Sequence, residues 1–339
     1  MKPVPYIQEA PFAIQIEATQ GCNLGCDFCG IHAIGYQKKA RGTDLMSIET
    51  AQSLAAQIKQ LGWNPRIEFA MHGEPTLHPA LPELIRVFRN TLGRKAFIMV
   101  TSNGGGLLGR DVPGNVGALF EAGLNTLALD NYQSVNIVPK IIERIQCHPA
   151  SEPNPMADVG LGGLVPIYAY PQNKTLSPHT RHRGTAILVV EDISVADDGN
   201  HSLLNNHAGS AAPLNDRAAG KPCAKPFREL SVRWDGNVAL CCNDWPGLYR
   251  VGNIATDGLY NVWNSPAMYA ARQKLLRGQR DFSPCDGCDA ISYRTGLLPD
   301  KLGRQTLPEP NATTRKVIAA ALAEGPYTTM VRPIMERTK

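Results

Sequence analysis

No apolar run in the sequence approaches the ~18 residues that a membrane-spanning helix requires. The opening stretch, MKPVPYIQEAPFAI, has no basic segment leading into an apolar one, so it does not read as a secretory signal. Charge of one sign is also scarce. The 34 Lys and Arg against 30 Asp and Glu leave a formal +4 over 339 residues, and the basic residues are scattered. That argues against a nucleic-acid footprint. There is no internal repeat, and no Ser, His and Asp set stands out as a hydrolytic triad. The expectation is a soluble, cytoplasmic chain without membrane contacts. With 43% hydrophobic residues it can bury one large domain, or one large and one small.

Cysteine, by contrast, is plentiful. The nine stand at 22, 26 and 29, then 147, then 223, 241, 242, 285 and 288. In a reducing compartment, grouped thiols are more often metal ligands or catalytic groups than disulfides. A tight N-terminal triplet and a dispersed C-terminal set predict two separate metal sites.

Between the two sets the chain alternates strand-like and helix-like segments. Phe12, Ile14, Ile16 and Ala18 alternate with polar partners and predict a first strand. Ala51, Leu54, Ala55, Ile58 and Leu61 keep helical spacing. Ile67, Phe69 and Met71 predict a second strand, and Leu81, Leu84, Ile85 and Phe88 a second helix. AFIMVT (96–101) and TLALD (126–130) are strands three and four, separated by a helix around Val116, Leu119 and Phe120. Pro139 opens a further helix through Ile145, and LVPIYAY (164–170) and AILVVED (186–192) are strands five and six. Residues 148–183 and 193–222 read as long loops. Beyond 223, two apolar runs flank Asp235-Gly236 and predict a hairpin, and Ser265-Pro266 opens a helix to Gly278. Repeated β–α units favour a parallel sheet or barrel with functional groups at the strands' carboxyl ends.

The triplet lies in GCNLGCDFCG, spaced C-x3-C-x2-C directly after the first strand. Three thiolates on one loop can hold three irons of a cubane and leave the fourth open to a chelating ligand. Gly21, Gly25 and Gly30 are expected to let the loop wrap tightly. A zinc loop is the alternative. It needs a fourth ligand, and only His32 and His72 are near in sequence.

At these residues the chain resembles the radical SAM superfamily, over most of residues 12 to 192. The triplet matches in spacing and position, with Phe28 before its last Cys, where the family packs an aromatic near adenine. His72-Gly73-Glu74-Pro75 resembles the GGEP motif, in which backbone and carboxylate groups hold the S-adenosylmethionine (SAM) amino group; His72 replaces the usual first Gly. Thr101-Ser102-Asn103-Gly104 resembles the TNG-type turn, and Asp130 stands where polar ribose-binding residues are found. The resemblance implies an α/β fold, a partial (β/α)6 barrel followed by a small hairpin-plus-helix domain. It also implies a [4Fe–4S] cluster on Cys22, Cys26 and Cys29, and reductive cleavage of SAM to a 5′-deoxyadenosyl radical. An electron donor such as flavodoxin or ferredoxin would be needed.

Cys223, Cys241, Cys285 and Cys288 can saturate a second cluster, and Cys223 precedes the hairpin while Cys241 ends it. The same four thiolates would suit a zinc ribbon. The element order, with Gly236–Cys241 and Gly252-Asn253-Ile254, resembles SPASM and "twitch" extensions, and the count fits a single-cluster twitch arrangement. Whether Cys241 or Cys242 is the ligand is open, with the Gly236 spacing favouring Cys241. Cys147, at a helix end, reads as an ordinary buried thiol.

The expected division is a core at 1–222, an auxiliary-cluster domain at 223–295 and an extension at 296–339. Asn243, Asp244 and Trp245 could face substrate, with Asp244 either taking a proton from an alcohol-derived radical or serving as a capping or solvated residue. Arg181, His182 and Arg183 could bind an anion, or form a solvated loop; His78, His148, His179, His201 and His207 carry no ligand spacing. Similarity to twitch-type alcohol dehydrogenases favours two-electron oxidation, or epimerisation, of a sugar, aminocyclitol or similar metabolite. The alternative is a maturase of a ribosomal peptide. About 21 residues before Cys22 speak against a built-in leader-binding module.

Overall fold

The computed structural model describes residues 10–34, 44–132, 135–148, 156–160, 163–170, 184–191, 205–211 and 218–290. Arg181, His182, Arg183, His179, His201 and the 296–339 extension lie outside the described residues, as do the side chains of Cys147 and His148. Cys147 falls within a strand, not at a helix end.

The first half follows the expected alternation: β1 (Ala13–Ile16), α1 (Ile48–Gln60), β2 (Arg66–Phe69), α2 (Leu81–Leu92), β3 (Ile98–Ser102), α3 (Val112–Glu121), β4 (Thr126–Asn131) and α4 (Val138–Arg144). The first helix starts where it does because the Ser47 hydroxyl accepts the Thr50 N–H at 3.0 Å. Then come β5 (Gln146–His148), β6 (Met156–Asp158), β7 (Leu164–Tyr170) and β8 (Ala186–Glu191). The last part holds α5 (Lys225–Arg228), β9 (Glu229–Val232), β10 (Asn237–Ala239), β11 (Arg250–Asn253), α6 (Leu259–Trp263) and α7 (Pro266–Leu276). No described helix is long and apolar enough to cross a membrane.

All eleven strands belong to one sheet, ordered β11-β10-β9-β1-β2-β3-β4-β8-β7-β6-β5. The run from β9 through β1, β2, β3, β4 and β8 to β7 is parallel throughout. Its carboxyl ends therefore gather on one rim.

Two features differ from the sequence expectation. The last two parallel strands are exchanged in space: β8 sits beside β4 and β7 lies outside it. Their composition accounts for this. Ala186, Ile187, Leu188 and Val189 are buried without interruption, as suits a strand flanked on both sides by parallel neighbours, whereas β7, whose outer neighbour is the short antiparallel β6, alternates, exposes Leu164 and contains Pro166. The second difference is that the Asp235-Gly236 hairpin is no separate sheet. Its strand β9 pairs in parallel with β1, and β11, expected only as a turn, adds a third strand to it.

Strand alternation divides the sheet's two faces. Ile14, Ile16, Ile67, Phe69, Ile98, Val100, Leu127 and Leu129 join Leu54, Ile58, Leu84, Phe88 and Val116 of the helices in the main core. Full burial of a side chain such as Phe69 or Phe88 contributes ~2–3 kcal/mol. The opposite face carries a small apolar cluster of Met99, Ala128, Ala186 and Leu188. Around β1, β2 and β9 that face is polar, since Glu17, Glu68, Glu229 and Ser231 alternate with core residues and are all buried.

Candidate functional site

The sequence-expected site residues of the first half meet on the carboxyl rim. Cys22, Cys26 and Cys29 are half-buried and not in disulfides, and the Cys29 N–H donates to the Cys26 carbonyl at 2.9 Å. The loop is seated by the segment after β2. There Gly73 has φ +73°, and a Cβ would stand 1.9 Å from the Thr19 carbonyl oxygen, so only glycine fits. The Glu74 N–H then donates to the Gly21 carbonyl at 2.7 Å.

Asn103, after β3, reaches the same loop. Its Nδ2 lies 3.4 Å from Cys22 Sγ and donates to Asn23 Oδ1 at 3.1 Å. Phe28 packs on Tyr132 with ring centroids 5.5 Å apart. Tyr132 lies two residues past Asp130, and its hydroxyl pKa is raised by burial and by the charges of Asp130, Cys26, Cys29 and Glu74. Sequence reasoning missed Tyr132, and its only signal was its place just beyond a strand end.

The Glu74 carboxylate, which the GGEP resemblance implied as a contact to the SAM amino group, is also bonded within the protein. Oε1 accepts from the Thr76 N–H at 2.9 Å and from the Thr76 and Ser102 hydroxyls at 2.5 Å each. Oε2 accepts the Asn103 N–H at 2.8 Å. Both oxygens are engaged within the protein and the residue is buried. Burial raises its pKa against the lowering effect of these four donors. The carboxylate braces the loops after β2 and β3.

Near the loop glycines the reason also changes. None of Gly21, Gly25 and Gly30 has a left-handed backbone. Gly30 is needed for contact, because a Cβ there would lie 2.4 Å from Trp245 Cδ1.

The second set of thiols is more deeply set. Cys223, Cys241 and Cys285 are buried and Cys288 half-buried, all free. Burial pushes the Cys241 thiol well up, with charge on Cys242, Cys285 and Cys288 adding to it, and Cys285 is raised by burial and by Cys223 and Cys288. The adjacent cysteines diverge: Cys241 feels Cys285 and Cys288, whereas Cys242 Sγ lies 3.1 Å from Lys225 Nζ, which also reaches Glu229 at 3.3 Å.

Asp244 takes a capping place. Its side chain has no exposure, and its two oxygens accept the Leu248 and Tyr249 N–H groups at 2.8 Å each. It closes a turn from a fully buried position. Asn243 and Trp245 are buried as well, and Asn243 Nδ2 has no hydrogen-bond partner among the described residues. His78 is structural: Nε2 donates to the Met46 carbonyl at 3.0 Å and Nδ1 accepts the Ala80 N–H at 3.1 Å.

Both thiol sets fit iron–sulfur clusters by their donor chemistry. A three-thiol loop leaves one iron of a cubane open, and four thiols saturate one. Among the described residues no three Cys, His, Asp or Glu groups gather around a single metal ion. A cubane does not ask that of them, since each thiolate takes its own iron. Burial, with Glu74 nearby, pushes the Cys22 thiol up to about 12, so binding a metal there must release a proton.

Comparison with known proteins adds the following. The family model of the radical SAM superfamily matches residues 16–145, and that of the SPASM iron–sulfur cluster-binding domain matches residues 223–289. A GTP 3′,8-cyclase from Chlorobaculum tepidum is 35% identical over 119 residues, 34% of this chain and 32% of its own length, so the match spans about a third of that relative. The crystal structure of BtrN in complex with AdoMet and 2-DOIA superposes with a TM-score of 0.62 at 18% identity, covering 87% of this chain and 99% of BtrN. BtrN in an open conformation gives 0.54 at 17% identity, over 84% of this chain and 95% of BtrN. At these identities the likeness is one of fold.

Proposed function

The chain belongs to the radical SAM superfamily and carries a SPASM domain, and on that premise we propose that it oxidises, or epimerises, a C–H centre of a sugar, aminocyclitol or similar small metabolite. The observation that carries this reading is the set of thiols in the second half: Cys285 and Cys288 act on Cys241, Cys223 and Cys288 act on Cys285, and the fifth, Cys242, turns to Lys225. One auxiliary cluster, and not two, is what those thiols suit. BtrN, whose fold the chain shares, was solved with AdoMet and 2-DOIA, which supports a small ligand over a peptide.

In this reading Cys22, Cys26 and Cys29 hold the SAM-binding cluster, and Cys223, Cys241, Cys285 and Cys288 hold the auxiliary one. When loaded, these clusters with SAM supply a hydrogen-abstracting 5′-deoxyadenosyl radical and a one-electron acceptor. The protein supplies placement. Phe28, Gly73, Glu74, Pro75, Ser102, Asn103 and Asp130 frame SAM on the carboxyl rim, and Glu74 also keeps the loops after β2 and β3 in register. Residues 1–222 form the core, 223–295 the auxiliary-cluster region and 296–339 an extension. A flavodoxin- or ferredoxin-type protein delivers the electron.

Anaerobic reconstitution followed by metal analysis tests the reading. About eight irons per chain are expected, and about four irons with one zinc would sink the auxiliary cluster. Reduced enzyme should form 5′-deoxyadenosine from SAM, and Cys26→Ala should abolish it. A short precursor peptide as the consumed substrate would overturn the metabolite reading and leave the radical chemistry standing.

A further inference from the structure

His72 stands where the GGEP-type motif has its first glycine, and its side chain makes contacts a glycine cannot. The ring is 2% exposed. Nδ1 faces Glu17 Oε1 at 3.2 Å, and Nε2 faces the Cys242 carbonyl at 3.0 Å. Both partners offer the ring acceptor oxygens. The ring also lies flat on Trp245, with centroids 4.4 Å apart and planes at 28°. The backbone of the same segment is seated under the triplet loop through Gly73 and the Glu74 N–H. One residue therefore touches both cysteine loops, by its main chain on one side and its ring on the other.

Trp245 completes the connection. Its indole fills the space over Gly30, next to Cys29. Its carbonyl accepts from Arg233 Nη1 at 3.2 Å, while Arg233 Nε pairs with Glu17 at 3.3 Å. Trp245 Nε1 donates to His207 Nδ1 at 3.1 Å. His207 and Ala208 hold φ of 45° and 55°, a strained backbone for residues with side chains. Their neighbour Asn206 is tied to the Cys285–Cys288 turn, donating to the Gly287 carbonyl at 2.8 Å and exchanging hydrogen bonds with Asp289.

We propose that His72 and Trp245 are positioning residues that latch the Cys241 loop onto the Cys22–Cys29 loop, and so set how the two thiol sites stand relative to each other. The consequence for electron flow rests on the proposed function; the latch itself does not.

Hydrogen exchange of the full chain, as reconstituted, tests the latch. In His72→Gly, exchange in a peptide covering 240–247 should rise about tenfold, and exchange in one covering 22–31 should rise with it. Trp245→Ala on the His72→Gly background should add less than about twofold, because both substitutions break one contact. His72→Gln, which keeps a donor for the Cys242 carbonyl, should restore much of the protection. If Trp245→Ala does not fold, His72→Gly and His72→Gln carry the test. Unchanged exchange at 240–247 in His72→Gly, or effects that multiply, would overturn the proposal. A second readout addresses position. In the reduced protein, the microwave power that half-saturates the cluster EPR signals should change in His72→Gly while the iron count equals the parent's. Unchanged relaxation would refute the claim that the latch sets the spacing. A zinc-containing parent would defeat the proposed function and leave the exchange result to decide the latch.

Discussion

Glu74→Gln probes the brace beneath the rim. Each carboxylate oxygen accepts a backbone N–H, Thr76 on Oε1 at 2.9 Å and Asn103 on Oε2 at 2.8 Å. A glutamine has one oxygen to offer. Whichever way its amide is turned, one of those N–H groups faces an NH2 and loses its acceptor. The Thr76 and Ser102 hydroxyls, 2.5 Å from Oε1, can rotate and accept, so they adapt. An unpaired buried N–H costs about 1–3 kcal/mol. Burial raises the Glu74 pKa, so removing its charge relieves some cost and places the expected loss near the lower half of that range. For a domain of this size each kcal/mol lowers Tm by roughly 2–4 °C. Thermal unfolding of the metal-free chain at neutral pH should therefore show Tm reduced by about 2–8 °C. Glu74→Ala, which strips all four donors, should lose more. An unchanged or higher Tm for Glu74→Gln would refute the brace.

Three further outcomes follow from the same contacts. Gly30→Ala should destabilise by about 1–3 kcal/mol through overpacking against Trp245; the loss should largely vanish on a Trp245→Ala background, as denaturant midpoints of the four variants will show. Asp244→Asn should lower Tm and iron content together, because one of the Leu248 and Tyr249 N–H groups loses its acceptor. A shifted activity–pH profile with full iron content would instead restore Asp244 as a proton acceptor. Burial works to raise the pKa of Glu17, but His72 and Arg233 outweigh it and hold the group below its ordinary 4.5. A depressed carboxylate contributes stability that is full above the unfolded value and is lost as pH falls through the folded one. Melts taken from pH 6 downward should thus show a steeper fall below pH ~4.5 in the parent than in Glu17→Gln; parallel curves would count against that ion pair.

The rim was legible because its chemistry falls at strand ends that periodicity locates. Glu74, Asn103 and Asp130 each follow a run of alternating or continuous apolar residues, so their convergence could be inferred without contacts. What those residues do there was less legible. A carboxylate in a GEP turn reads the same whether it points to a ligand or inward to Thr76, Ser102 and Asn103, and only the four donor distances decide it. The exchange of β7 and β8 had a signal in Pro166 and in the unbroken AILVV run, but strand order in a sheet is a long-range property that local pattern constrains weakly. Asp244 looked reactive because of its neighbours in sequence, while its partners are backbone groups four and five residues on. His72 is the most instructive residue. Its departure from the motif's glycine was visible in the sequence, and as a local feature it carried no meaning. The meaning lies 170 residues away, at the Cys242 carbonyl. A side chain gained within a motif of glycines needs a cavity to receive it. Here Trp245 and the 241–245 turn receive it from the other cysteine loop, so the departure and the second thiol site belong to one structural solution.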